Sequence, residues 1–169
     1  DKTIVYRRQG DQCRLLWKVQ GRDTQQIAGR LGLMALEDET VETIIVDDTG
    51  VGGGVTDRLR EEQLPGRIRI MAFNGGERAS KPDRYVNAIT ESWMELARSF
   101  KDGQIDIDNN AALIGQLSSR RYIIQGDRRL KLESKDDYKK RAHDSPDDAD
   151  ALAMTEAVGL KGRPNVRFL

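Results

Sequence analysis

The sequence predicts a single α/β domain on three observations. The chain has 169 residues, enough to bury a core. Its apolar residues switch repeatedly between the two-residue period of strands and the 3.6-residue period of helices. One β-branched run, in "VETIIVDDTG", reads as a buried strand that ends in two aspartates.

The start, "DKTIVYRRQGDQCRLLWKVQGRD", reads as strands over 3–8 and 12–20 joined at Gln9, Gly10 and Asp11, a β-hairpin. Asp23 is an N-cap for a helix over Thr24 to Glu37, where Ile27, Leu31, Met34 and Ala35 fall on one face. After the aspartate strand and a glycine loop, Val55 to Leu64 reads as a helix and "RIRIMAF" as a strand. Tyr85 to Lys101 is a long amphipathic helix. Beyond Gly103 the chain is polar and irregular, except for a short helix over Asn110 to Ser118 and a hairpin, "YIIQGDRRLKLE", turning at Gly126 and Asp127. A helix in "SPDDADALAMTEA" closes the domain, and "KGRPNVRFL" reads as a tail. There is no internal repeat and no low-complexity segment.

Composition excludes several chemistries. Lys+Arg 28 balances Asp+Glu 28, so nucleic-acid binding would need local patches rather than bulk charge. With one cysteine, Cys13, and one histidine, His143, there is no internal disulfide and no cysteine or histidine metal cage; any metal would be held by oxygen. No stretch has the apolar length of a membrane span and no signal-peptide pattern is present, so a cytoplasmic-type setting is expected.

The late helix raises an electrostatic question. Ser145 suits the N-cap, Pro146 the first helical position, and Asp147 and Asp148 the positive end of the helix dipole. Asp150 falls after that, among Ala149, Ala151, Leu152, Ala153 and Met154, and shares a face with Asp147 three residues earlier. Two unit charges ~4 Å apart repel by roughly 4 kcal/mol at an effective dielectric of ~20, whereas a helix dipole returns about 0.3–1 kcal/mol. A cation should offset the difference. In "IIVDDTGVGGGV" a strand delivers Asp47 and Asp48 to its C-terminal end, where open α/β sheets place ligands. Adjacent strand residues point to opposite faces, so one of the two aims at a shared site; Asp47 directly follows the apolar run. The glycines fit either phosphate contact or a plain turn. They miss the dinucleotide fingerprint, which would need glycine at Val55, and no phosphate-loop G-x-x-x-x-G-K-[ST] occurs. A strand-end aspartate with two more on a late helix is an oxygen-only cluster of the kind that suits Mg²⁺ or Mn²⁺, including ion pairs that clamp a phosphodiester displacement.

The segments "DKTIVYRRQ", "TIIVDDTGVGGGVTDRL", "FNGGERASKPDRYVN" and "KKRAHDSPDDADALAMTEA" together resemble the C-terminal nuclease domain of phage terminase large subunits, in the RNase H-like superfamily. The resemblance covers residues 1–159, leaving 160–169 as a C-terminal tail. It implies a mixed central sheet flanked by helices, an added hairpin near the active site, and two divalent ions, Mg²⁺ or Mn²⁺, that cut DNA. It places the second-position acid on Asp47 and the late D-x-x-D-A-L motif, shared with Holliday-junction resolvases, on Asp147 and Asp150. The family's first metal-binding aspartate lies on a strand just upstream of a stretch like "DKTIV", where this sequence begins. The expectation is that this acid is missing from the sequence given, that Asp1 does not replace it, and that activity here is weak or absent. Implied partners are double-stranded DNA, the terminase ATPase domain, the small terminase subunit and the portal, in the cytoplasm of an infected bacterial host, without a membrane.

Arg120, Arg121, Arg128, Arg129, Lys131, Lys135, Lys139, Lys140 and Arg141 concentrate positive charge before the aspartate helix. One reading is a DNA-backbone track, with Arg128, Arg129, Lys131, Lys139 and Lys140 on phosphates. The other is solvated faces neutralised by Glu133, Asp136 and Asp137. His143 reads as a surface loop residue rather than a catalytic base, Trp17 and Trp93 as core, and Tyr85 and Tyr122 as packing residues, with DNA contact as their alternative. The leading function is a two-metal DNA endonuclease. The alternatives are another RNase H-like nuclease, such as a resolvase or transposase, and a non-catalytic DNA-binding or motor-docking domain.

Overall fold

The computed structural model describes residues 2–50, 52–142, 144–157 and 167–168, so the expectations for Asp1, His143 and most of the tail lie outside the described residues. Strands β1 (Lys2–Gln9) and β2 (Gln12–Gln20) form the expected antiparallel hairpin, with a register shift between Val5 and Tyr6. Helix α1 (Thr24–Glu37) starts as expected, with Asp23 Oδ1 accepting from the Gln26 amide at 2.8 Å. Strand β3 (Thr43–Asp47) follows, then α2 (Gly52–Glu61) and β4 (Arg69–Phe73), parallel to β3. Helix α3 (Ala88–Lys101) is capped by Asn87, and α4 (Ala111–Ser119) by Asn110; a two-residue strand β5 (Asp106–Ile107) lies between them. The second hairpin pairs β6 (Tyr122–Ile124) with β7 (Leu130–Leu132). Helices α5 (Lys135–Ala142) and α6 (Asp147–Met154) come next, and β8 (Arg167–Phe168) joins the main sheet.

The main sheet has the mixed order β4-β3-β8-β1-β2-β5, with helices on both faces. Strand alternation sorts its side chains into two cores. Val5, Ile44 and Val46 pack with Ile27, Leu31 and Leu59 from α1 and α2, while Ile4, Tyr6 and Ile45 pack with Trp93, Leu96, Leu113 and Leu152 from α3, α4 and α6. In the lane between β3 and β1, β8 pairs with Thr43 and Ile44 on one side and with Arg7 and Arg8 on the other. Among the described residues, the rest of that lane, toward Asp47, holds no strand.

Several expectations need correction. The helix predicted from Val55 begins at Gly52, inside the glycine run. A Cβ on Gly52 would lie 1.6 Å from the Asp47 carbonyl oxygen, so the glycine allows α2 to start hard against the strand end. The helix predicted from Tyr85 starts at Ala88, because Tyr85 bridges to Leu130 and Asn87 Oδ1 accepts from the Thr90 amide. The segment read as irregular contains α5, signalled by Ser134, whose Oγ accepts from the Asp137 amide at 3.1 Å and donates to the Asp137 carboxylate at 2.7 Å. Pro146, not Ser145, is the N-cap of α6; Ser145 instead donates to the Asp147 carboxylate. Arg167 and Phe168, assigned to the tail, form a strand.

Gly52→Ala should therefore destabilise the domain by about 1–3 kcal/mol through overpacking at the strand end. Urea denaturation checks this; an unchanged midpoint would mean that the contact relaxes freely.

Candidate metal and nucleic-acid site

Period-two alternation decides where the two strand-end aspartates go. Asp47 shares parity with Ile45, whose side chain lies under α6, so Asp47 faces that helix. Asp48 turns to the other face and accepts from Thr56 Oγ1 of α2 at 2.7 Å. Three residues apart on one helix, Asp147 and Asp150 face Asp47 across the open end of the sheet lane. All three line one cavity of ≈ 820 Å³, whose inner wall is apolar (Ile4, Ile27, Leu31, Val46 and Met154) and whose rim carries Lys2, Arg22, Lys135 and Lys139.

The cation that the sequence called for is Lys135, at the first residue of α5. Its Nζ lies 3.2 Å from Asp150 Oδ2 and 3.6 Å from Asp147 Oδ1. Burial alone would lower its pKa, but the charges of Asp150, Asp147 and Asp47 outweigh that and raise it above the ordinary lysine value. Lys135 is a fixed positive charge at neutral pH.

Asp150 is 5 % exposed and is held from behind. The Trp93 indole Nε1 donates to its Oδ1 at 2.8 Å, and the Arg120 guanidinium lies 4.0 Å from the same oxygen, stacked between the Trp93 and Tyr138 rings. Asp150 Oδ2 is buried and accepts no directed hydrogen bond among the described residues. As they stand, no three acidic, histidine or cysteine side chains among the described residues converge tightly enough to hold an ion, consistent with a lysine ammonium lying between two of them.

Asp148, one position off this face, serves a different purpose. It is buried, accepts from Lys18 Nζ at 2.9 and 2.7 Å, and lies 3.4 Å from Gln116 Nε2. Gln116 Oε1 in turn accepts from the Ala149 amide at 3.0 Å. The Asp148 and Gln116 contacts tie the start of α6 to β2 and α4.

The basic residues divide. Lys139 lines the cavity. Arg129 pairs with Asp127 at 2.7 Å and Lys140 with Asp137 at 3.0 Å, as the neutralised-face reading expects, while Arg128 sits at the hairpin turn with φ 66° and forms no ion pair among the described residues. Lys131 is exposed opposite Ile123. Tyr85 is buried, as expected, but Tyr122, Ile123 and Ile124 are exposed, so Tyr122 is not a packing residue. Sequence reading missed three site residues, taking Trp93 as core only and Arg120 and Lys135 as two basic residues among nine. Spacing gave no signal for the first; its place beside Asp150 depends on how α3 packs against α6.

This arrangement, a mixed sheet with helices on both faces and acids gathered at the end of a central lane, is an RNase H-like α/β fold. Its solved counterparts are nuclease domains of phage large terminase subunits. The nuclease domain of gp2 from bacterial virus Sf6 is 21% identical, with a TM-score of 0.75 over 91% of this chain and 81% of that one. Its K428A mutant with manganese and beta-thujaplicinol gives the same values. The large terminase nuclease from thermophilic phage G20c with bound magnesium is 14% identical, with a TM-score of 0.65 over 92% of this chain and 74% of that one. No protein-family model matches the chain, and no curated protein matches its sequence. No helix among the described residues is long and apolar enough to cross a membrane.

The split within the aspartate helix predicts a split in stability. Asp148→Ala, which leaves Lys18 and Gln116 without their buried acceptor, should cost on the order of 1–3 kcal/mol. Asp147→Ala should cost little or gain stability, because it relieves repulsion with Asp150. Thermal melts in EDTA compare them; equal melting temperatures would contradict the assignment of Asp148 as a structural prop.

Proposed function

We propose that this chain is a divalent-metal-dependent DNA endonuclease domain of the phage terminase type. The observation that carries the reading is the meeting of Asp47 with Asp147 and Asp150 on one cavity, around a single lysine ammonium. The donors are carboxylate oxygens, the type preferred by Mg²⁺ and Mn²⁺, and Asp150 Oδ2, buried and paired with the Lys135 ammonium at 3.2 Å, is an oxygen that a metal ion would take over from that lysine. Asp47, Asp147 and Asp150 would hold the ions in place of the Lys135 ammonium. Bound ions supply an activated water and stabilise the leaving 3′ oxygen of a phosphodiester. The likeness to terminase nuclease domains solved with manganese and magnesium supports this choice of metal.

The family resemblance expects a further metal-binding acid on a strand beside Asp47, which would complete the set. Lys139 at the cavity rim, with Arg128, Arg129, Lys131 and Lys140 beyond it, would hold the phosphates of double-stranded DNA; Arg129 and Lys140 would exchange intramolecular carboxylates for phosphates. Within a terminase, the ATPase domain, small subunit and portal would be the protein partners, acting in the host cytoplasm.

Supercoiled plasmid incubated with the protein and Mn²⁺ should be nicked, slowly if the family's first metal-binding acid is lacking. The rate should fall by orders of magnitude in Asp47→Ala and Asp150→Ala. Nicking by Asp150→Ala at the wild-type rate would remove these carboxylates from the reaction.

A further inference from the structure

We propose that Trp93 and Arg120 are positioning residues that tether one oxygen of the Asp150 carboxylate and leave the other, now facing the Lys135 ammonium, to be exchanged, so that Asp150 meets a metal ion through Oδ2 alone. The inference rests on the metal-site reading above and goes beyond it, because it specifies how one ligand is presented and which ions that favours.

The two oxygens of Asp150 have different surroundings. Oδ1 accepts the Trp93 indole N–H at 2.8 Å, in a bond buried on both sides, and has the Arg120 guanidinium 4.0 Å away. Oδ2 faces the cavity side, with Lys135 Nζ 3.2 Å away and no directed donor. A buried indole N–H needs an acceptor, but a backbone carbonyl would satisfy it equally. Here the acceptor is a carboxylate that also lines the cavity.

Arg120 strengthens the case because its own hydrogen bonding is incomplete. Its side chain is 3 % exposed, and its Nε and Nη1 have no hydrogen-bond partner among the described residues. Burying a guanidinium in that state is unfavourable unless stacking and charge offset it. The stacking comes from Trp93 and Tyr138, with ring centroids 5.5 and 5.3 Å from the guanidinium carbon, and the opposite charge from Asp150. The guanidinium therefore pins the indole that pins Oδ1. Rotation of the carboxylate to offer both oxygens would break the indole bond.

Ion preference follows from coordination chemistry. Mg²⁺ and similarly small ions take near-octahedral ligands, whereas Ca²⁺ accepts six to eight oxygens and bidentate carboxylates. A carboxylate held to one free oxygen favours the smaller ion; one released to swing favours the larger.

Trp93→Phe removes the N–H and keeps an aromatic ring. By calorimetric titration, Mn²⁺ affinity should fall roughly 10–100-fold, the usual effect of losing a group that orients a metal ligand. Ca²⁺ affinity should hold or rise, so the Mn²⁺/Ca²⁺ preference collapses, which a general loss of stability would not produce. Equal losses for both ions, or no loss, would overturn the inference and leave the metal site standing. A wild-type protein that binds no Mn²⁺ would overturn both. Should Trp93→Phe fail to fold, the wild type decides through its indole N–H resonance, assigned with Trp17→Phe. A Trp93 signal that stays in place and protected from exchange as Mg²⁺ saturates the protein supports the tether, and a shift toward a free indole contradicts it.

Discussion

The geometry of the site depends on how three carboxylates are kept together. Asp47, Asp147 and Asp150 face one cavity, and at an effective dielectric of ~20 each close pair repels by a few kcal/mol. Lys135 and Arg120 answer that repulsion from opposite sides of Asp150, and they flank the two stems of the β6–β7 hairpin. The C-cap of α4 and the first residue of α5 thus supply the charges that hold the acid cluster. Because the Lys135 pKa is raised, its contribution to stability is complete below the unfolded lysine value and is lost only as pH climbs through the folded one, well above neutrality.

A second constraint is geometric. A strand presents alternate residues to opposite faces, so the single step from Asp47 to Asp48 separates a residue lining the cavity from a partner of Thr56. Gly52 lets α2 begin against the Asp47 carbonyl, and the Thr49 amide donates to Asp47 Oδ1 at 3.1 Å, so backbone on both sides of the strand end fixes this carboxylate. On α6 the same division appears at helical spacing. Asp147 and Asp150 face the cavity, and Asp148 anchors the helix through Lys18 and Gln116.

Much of this was legible in the sequence because it is local. Periodicity and caps identified β1, β2, α1, β3 and β4; that Asp47 meets Asp147 and Asp150 is not local and came from the resemblance carried by the two aspartate motifs and their order. Boundaries failed where tertiary contacts overrode local propensity, as at Gly52, whose helix start depends on contact with a strand end, and at Ala88, whose upstream residues are held by the second hairpin. Helix α5 was hidden by its polarity: Tyr138 is its only buried side chain among the described residues, so its face carries almost no apolar period. The indole bond from Trp93 to Asp150 joins residues 57 apart, and no spacing rule reaches that far.

Anomalous diffraction from crystals soaked in Mn²⁺ tests the central claim most directly, since it locates the ion without requiring turnover. The account predicts a peak between Asp47 and Asp150, with the Lys135 ammonium displaced from its present position between Asp147 and Asp150. A peak elsewhere, with none among these carboxylates, would contradict it.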